Sequence, residues 1–324
     1  MNVSVDIGFS NVKLYDDRGK TIISSHLGEP KVQMNSEDGI DDPTTLSISF
    51  DGVEYLVGER VAATGKQLPA FGMHRLTGGQ EAKAVFYTAL TKRFMEYGKY
   101  KDPIDVSIGI PAELLIGDEA AAKRNIASIQ NWLVGKHSWE HKNKSYSTEV
   151  ASALVRTQAN GALGDLIHNL QGQQTKEAEF VQKGVGIISI GFNTVELSGA
   201  IYGKSATTMV GSSKDGVRSL LEKFKRKGQI SNLDYEYRHG LLDKDELALY
   251  VKQWASSIIN GVETRWDNMI HEIKRIFLVG GGSSDALPAL RQHFGDIIIT
   301  PDDPYISVAR GLYKWAVRNG KKYN

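Results

Sequence analysis

Val5-Asp6-Ile7-Gly8-Phe9-Ser10-Asn11-Val12-Lys13-Leu14 and Ile188-Ser189-Ile190-Gly191-Phe192-Asn193-Thr194-Val195-Glu196-Leu197 are one ten-residue pattern met twice, at a constant offset of 183. Ile, Gly, Phe, Val and Leu recur in register. In each copy β-branched and other apolar residues flank a glycine followed by small polar residues, the composition of a strand, a tight turn and a second strand. Either copy alone reads as an ordinary hairpin turn, since Gly and Asn supply positive φ cheaply. Two copies in register, about half the chain apart, point to a repeated unit. Turns of this kind can gather backbone N–H groups and side-chain donors into an anion-binding concavity, and two facing turns would clamp a polyphosphate.

A third glycine turn follows an apolar run in Ile276-Phe-Leu-Val-Gly280-Gly281-Gly282-Ser283-Ser284, a buried strand entering a turn and a helix. Three glycines let a planar ligand approach the backbone, and the same residues also suit plain strand-to-helix packing. The pattern along the chain gives a strand at Lys20–His26, a polar insertion over about 28–79 with short strands near Thr45–Phe50 and Glu54–Val57, and a helix at Glu81–Tyr97. A strand at Val106–Ile110 and a helix at Gly117–Leu133 follow, then a strand start and helix within Ser147–Leu170. Residues 171–179 read as a surface connection. The second half repeats the order: hairpin, a third strand at Gly199–Tyr202, a helix at Asp215–Lys227, a polar insertion at 228–245 and a long helix at Glu246–Ile273. The strand Arg275–Val279, a helix at Asp285–His293, a strand at Ile297–Ile299 and a closing helix at Tyr305–Val317 complete it.

Composition narrows the function classes. The 39 basic and 38 acidic residues leave a net charge of +1, which gives no general drive toward nucleic acid or membrane. There is no cysteine, so disulfides, thiolate metal sites and a cysteine nucleophile are excluded. No apolar run approaches the roughly 20 residues of a spanning helix, and MNVSVDIGFS lacks the basic start and apolar stretch of a signal peptide. The expectation is a soluble, cytoplasmic protein. His26, His74, His137 and His293 show no metal-ligand spacing, the Lys223–Lys227 cluster reads as a solvated helix end, and Asn143-Lys-Ser145 as a sequon without a secretory context.

At these residues the sequence resembles the actin, Hsp70 and sugar-kinase superfamily. Asp6-Ile-Gly-Phe-Ser-Asn-Val-Lys13 is similar to its first phosphate motif, Ser189-Ile-Gly-Phe-Asn-Thr-Val-Glu196 to the second, and Phe277-Leu-Val-Gly-Gly-Gly-Ser-Ser284 to the adenosine motif. Arg156-Thr-Gln158-Ala-Asn-Gly161 and Ser307-Val-Ala-Arg-Gly311 resemble the two connecting segments, and Gly211 through Gly216 a turn that lines the cleft. Within the superfamily the compact length, the Asn-Val-Lys form of the first hairpin and the Tyr305–Tyr313 segment are most similar to ParM-type plasmid-segregation actins.

The resemblance implies a two-lobed α/β fold, ribonuclease H-like and duplicated, with central mixed sheets flanked by helices and a nucleotide cleft. Lobe I would take residues 1–170, lobe II 180–305, and a helix in 306–324 would pack back on lobe I. It implies ATP with Mg²⁺, GTP being the alternative nucleotide. Asp6 would hold Mg²⁺-bound water, Lys13 would meet the β- and γ-phosphates, and Gln158 would orient the attacking water. Gly8, Phe9, Ser10, Asn11, Gly191, Phe192, Asn193 and Thr194 would surround the phosphates, and Gly211, Gly280, Gly281, Gly282 and Ser283 would line the nucleoside side. Ser189 departs from the motif, which begins with aspartate; a neutral hydroxyl predicts weaker Mg²⁺ binding or slower hydrolysis, with Asp6 the principal carboxylate. The implied partners are other copies of the chain in a polar filament and a DNA-binding adaptor at its end, with no direct nucleic acid and no membrane. A small-molecule kinase and a slowly hydrolysing, nucleotide-gated scaffold remain as alternatives.

Overall fold

The computed structural model describes residues 1–30, 43–61, 65–68, 76–224 and 230–320. Contacts divide them into two units, one of residues 1–110 and 118–155, the other of 111–117 and 156–324. His74 and residues 225–227 of the lysine cluster lie outside the described residues.

In the first unit β1 (Asn2–Ile7), β2 (Asn11–Asp16) and β3 (Gly19–Ser24) form an antiparallel meander, and β8 (Ile104–Ile110) lies parallel to β1 on its other side. Alternation sends Val3, Val5, Ile7, Val12 and Leu14 to one face, all fully or nearly buried. Helix α1 (Gln80–Tyr97) packs on these strands. Its Arg93, wholly buried, donates to both oxygens of Asp16, to Thr21 Oγ1 at 3.2 Å and to the Gly19 carbonyl at 3.0 Å, and Tyr100 adds a hydroxyl bond to Asp16 at 2.8 Å. A buried charge persists only when paired and hydrogen-bonded in this way.

The presumed insertion is part of the same sheet. The strands run β3-β2-β1-β8-β10-β9-β5-β6-β4-β7, with β9 (Gly135–His141) and β10 (Lys144–Thr157) joining the meander to β5 (Thr45–Phe50), β6 (Val53–Gly58), β4 (Leu27–Pro30) and β7 (Gly65–Gln67). Sequence reading passes over β9, yet it alternates strictly: His137, Trp139 and His141 point inward while Ser138 and Glu140 face solvent. Trp139 stacks on Tyr87 at 4.7 Å between ring centroids and donates to Thr91. The sequon residue Asn143 sits with Lys142 in the β9–β10 turn, both at positive φ.

The second unit repeats the opening arrangement. Strand β11 (Val185–Ile190) pairs antiparallel with β12 (Val195–Ile201) and parallel with β15 (Arg275–Val279); with β13 (Lys204–Ser205) and β16 (Ile298–Ile299) the order is β13-β12-β11-β15-β16, and β14 (Gly211–Ser213) also pairs with β12. The separate strand expected at Gly199–Tyr202 is the end of β12, because its pairing with β11 runs unbroken to Ala200. One face, with Ile188, Ile190, Leu197, Ile276 and Leu278, packs on helices that include Val217–Leu221, Lys244–Trp266 and Ser283–Phe294. The 228–245 insertion carries a helix of its own, Ile230–Arg238, whose Leu233 joins this core. The opposite face, with Val185, Ile187, Ala200, Phe277 and Val279, packs on α3 (Gln158–Ile167).

The closing helix α9 (Ser307–Gly320) crosses α3 at small residues. A Cβ on Gly311 would lie 1.8 Å from the Gly161 carbonyl, and one on Gly164 would lie 2.2 Å from the Trp315 ring. Both helices group with the second unit, and the division at Val155/Arg156 precedes the 171–179 connection. At this crossing Ser307 Oγ, Arg310 and Lys314 converge on Asp165 at 2.6 to 2.7 Å.

His168, next along the chain from α3, is buried against Trp315, and its Nδ1 has no hydrogen-bond partner. Burial, reinforced by the charges of Arg318 and Lys314, pushes its pKa from 6.5 down to about 4. A depressed imidazole pKa means that the unfolded chain binds the proton more tightly. This contribution to stability is therefore present above pH 6.5 and is lost as pH falls toward 4. Thermal melts between pH 7.5 and 4 are expected to fall with pH, and a His168→Phe variant, with nothing to protonate beside Trp315, is expected to have the flatter profile.

Candidate functional site

The two hairpins close their turns with the same backbone hydrogen bond. Gly8 N–H donates to the Asn11 carbonyl at 3.0 Å, and Gly191 N–H to the Thr194 carbonyl at 2.8 Å. Both glycine amides, the natural centre of an anion nest, are therefore spent in closing the turn. Donors to a phosphate must come from the residues that follow them.

In the first hairpin Asp6 faces Lys13 across the β1–β2 pair, and Lys13 Nζ lies 2.9 Å from Asp6 Oδ2. Asp6 is 2% exposed. The turn is braced by the end of β3: Ser25 N–H and Ser24 Oγ donate to the Ser10 carbonyl, and Ser25 Oγ to that of Gly8. Asn11 Nδ2 donates to Ser10 Oγ at 2.7 Å, and both residues are buried, while Phe9 is half-buried. Ser24 and Ser25 lie outside the repeated motif, and serines ending a neighbouring strand carry no sequence pattern that marks them.

In the second unit three segments meet. The carbonyls of Gly191 and Phe192 accept from Val217 and Arg218 at 3.0 and 2.7 Å, so the turn seals the start of the Val217–Leu221 helix. Gly216 lies so close that a Cβ there would stand 2.4 Å from the Phe192 oxygen. The Gly280 turn docks on the same hairpin: Gly282 N–H donates to the Ile190 carbonyl at 3.2 Å and Gly280 N–H to that of Pro304 at 2.9 Å. Gly280, at φ +96°, could not carry a side chain, because its Cβ would meet the Ile190 carbonyl. Gly281 faces the Tyr305 ring, and Gly282 faces Trp254 and Val217. Gly280 and Gly282 thus have protein neighbours that require glycine, while a Cβ on Gly281 would crowd the Tyr305 ring at 3.1 Å. Ser283, assigned to the nucleoside, is buried with its hydroxyl bonded to the Gly280 carbonyl at 2.7 Å.

Asn193 and Thr194 complete the second turn, and Asn193 Oδ1 is buried with no hydrogen-bond partner. Gly211 pairs with Leu197 from β14, against the Arg265 guanidinium. Gln158 is the first residue of α3, half-buried, behind the N-cap Thr157 whose Oγ1 accepts from Asn160 N–H at 3.1 Å. Helix α3 covers the face of β11 on which alternation also places Ser189. His137 and His293 are satisfied structurally: His137 bonds Tyr87 and the Leu133 carbonyl, and His293 bonds Glu263.

Strand order, register and flanking helices together define one known architecture. The chain has the actin fold. Residues 4–161 match the family model described as actin-like proteins, N-terminal domain. The apo ParM of pSK41 superposes with a TM-score of 0.75 at 17% identity, covering 100% of this chain and 99% of that one. Ta0583, an archaeal actin homolog in complex with ADP, gives 0.72 at 14% identity over 100% of both chains. The subunit of a 15-stranded ParM filament from Clostridium botulinum gives 0.70 at 16% identity over 99% of each. Among curated proteins none matches the chain by sequence. No helix among the described residues is long and apolar enough to cross a membrane.

The Mg²⁺ that accompanies nucleotide in the actin-like superfamily suits the groups present. Among the described residues no three or more His, Cys, Asp or Glu side chains form a cage for a metal, whereas Mg²⁺ retains most of its waters and needs one or two carboxylates beside substrate phosphates. Asp6, almost wholly buried beside the Gly8 turn, would be such a carboxylate.

Proposed function

We propose that this actin-like chain is a nucleotide-dependent, filament-forming ATPase that moves plasmid DNA through an adaptor. The observation that carries the reading is the repeated hairpin. In two sheets that share a β3-β2-β1-β8 and β13-β12-β11-β15 order, the same glycine N–H closes the same turn, beside a polar cross-strand pair at the same rung. Each hairpin would offer donors to the phosphate oxygens of a bound nucleotide. Lys13, Ser10, Asn11, Asn193 and Thr194 would act as donors to phosphate oxygens, and Asp6 would orient Mg²⁺-bound water. The metal would supply charge neutralisation at the phosphates. Gln158 would position the attacking water without taking its proton, which suits phosphoryl transfer, where positioning outweighs covalent chemistry. Losing the γ-phosphate removes contacts that favour one conformation, so hydrolysis can bias a polymer toward disassembly. Head-to-tail contacts extend without closure.

Sedimentation, light scattering and negative-stain microscopy with ATP, GTP, ADP and a non-hydrolysable analogue test this. The expected result is polymer with triphosphate, without added metabolite, and phosphate release that follows assembly. Polymer without turnover would favour the scaffold that Ser189 suggests, and no polymer with any nucleotide would overturn the reading.

A further inference from the structure

The two hairpins differ in where their charge sits. In the first, the acid is on the leading strand and the base on the returning one, Asp6 facing Lys13. In the second, the leading strand offers only the Ser189 hydroxyl, and the residue facing it is Glu196. Each hairpin thus keeps one carboxylate on the same rung, carried by opposite strands. Side chains facing each other across antiparallel strands have Cβ atoms about 4.5–5.5 Å apart, and glutamate is one methylene longer than aspartate. A carboxylate rooted at 196 can therefore reach the space that an aspartate at 189 would fill.

The surroundings suit that task. Glu196 is 2% exposed, and carboxylates are rarely buried without a role in pairing or metal binding. Its rung runs Ser189–Glu196–Ser212 across β11, β12 and β14, all oxygen-bearing, although the same face becomes apolar further along at Ile187, Val185 and Ala200. The rung stands two residues before Gly191, next to the turn assigned to phosphate. Hard oxygen donors without imidazole or thiolate match Mg²⁺ and its water shell.

We propose that Glu196 supplies from the returning strand the carboxylate that Ser189 lacks, and that it holds water of the Mg²⁺–nucleotide group; this rests on the nucleotide-binding reading above. It replaces the expectation that Ser189 leaves the second hairpin without a metal-side acid. Affinity for a fluorescent ADP analogue, measured by anisotropy in EDTA and across a Mg²⁺ titration, tests it. E196Q is expected to raise the Mg²⁺ midpoint roughly tenfold, the usual cost of losing a group that orients a metal's ligands. S189D/E196S, which returns the acid to the leading strand, is expected to titrate like wild type, and it carries the test should E196Q fail to fold. If wild type binds with Mg²⁺ dependence and E196Q titrates identically, or if S189D/E196S shows the raised midpoint, the inference falls alone. If wild type binds no nucleotide, the underlying reading falls with it.

Discussion

An Asp165→Ala variant is expected to lose about 3–5 kcal/mol of stability, the usual cost of removing one partner from a buried ionic group. The side chain is 1% exposed and meets Arg310 at 2.6 Å, Lys314 at 2.7 Å and the Ser307 hydroxyl at 2.6 Å. Deleting it leaves two cations facing each other inside the α3–α9 crossing. That crossing cannot relax by sliding, because Gly161, Gly164 and Gly311 already sit at the limit of backbone approach. A domain is typically stable by only about 5–15 kcal/mol, so the midpoint of urea unfolding should fall by a large fraction. Asp165→Asn, which keeps shape and loses charge, should lie between the two. Burial alone would raise this carboxyl's pKa, but the hydrogen bond from Arg310 and the charges of Lys314 and Arg310 outweigh it and hold it below the usual carboxylate range. Its contribution is therefore present above the ordinary carboxylate pKa and is lost as pH falls through the lower, folded value. That window lies below the one in which His168 acts. A midpoint that does not move in Asp165→Ala would mean that the cluster is incidental to the crossing.

What the sequence made legible follows from which forces are local. The hairpins and the Gly280 turn were readable because a glycine between two apolar strands is a short-range signal, and its repetition at a fixed offset removed the ambiguity of either copy. Asp6 and Lys13 emerged because the hairpin fixes their register. Asp165 did not, although Ser307, Arg310 and Lys314 mark a polar stripe on one face of the closing helix; their partner lies 142 to 149 residues away. Strand β9 was lost because its inward residues are histidine and tryptophan, so that composition hid the alternation. The same limit governed Glu196: the motif directs attention to position 189 on the leading strand, while the compensating charge becomes visible only when β12 is paired against it. The glycines of the adenosine-type turn were expected to admit a planar ligand. Their neighbours Ile190, Tyr305 and Trp254 give each a packing reason that holds with or without one.

Lys13→Ala is expected to weaken triphosphate binding by roughly 10- to 100-fold, the equivalent of the ~1.5–3 kcal/mol contributed by a hydrogen bond to a charged group. The loss should be larger for ATP than for ADP, because a lysine acts on phosphate as a point charge and the proposed contact is with the β- and γ-groups. Asp6 is the reason the lysine stays in place. With Nζ 2.9 Å from Oδ2 on a carboxylate that is almost wholly buried, the ammonium is held at the mouth of the turn and does not sweep through solvent rotamers. Asp6→Asn should therefore affect two readouts together, loosening the lysine and weakening the hold on Mg²⁺-bound water, whereas Lys13→Ala should leave the Mg²⁺ midpoint for ADP nearly unchanged. Binding of ATP and ADP to both single variants and to the double variant, each across a Mg²⁺ titration, separates these effects, since residues in contact couple and distant ones add. Equal losses for ATP and ADP in Lys13→Ala would confine the contact to the β-phosphate, and no loss for either would place the lysine in fold stability alone. A γ-selective loss that vanishes in the Asp6→Asn background would assign the two residues to one phosphate-binding device.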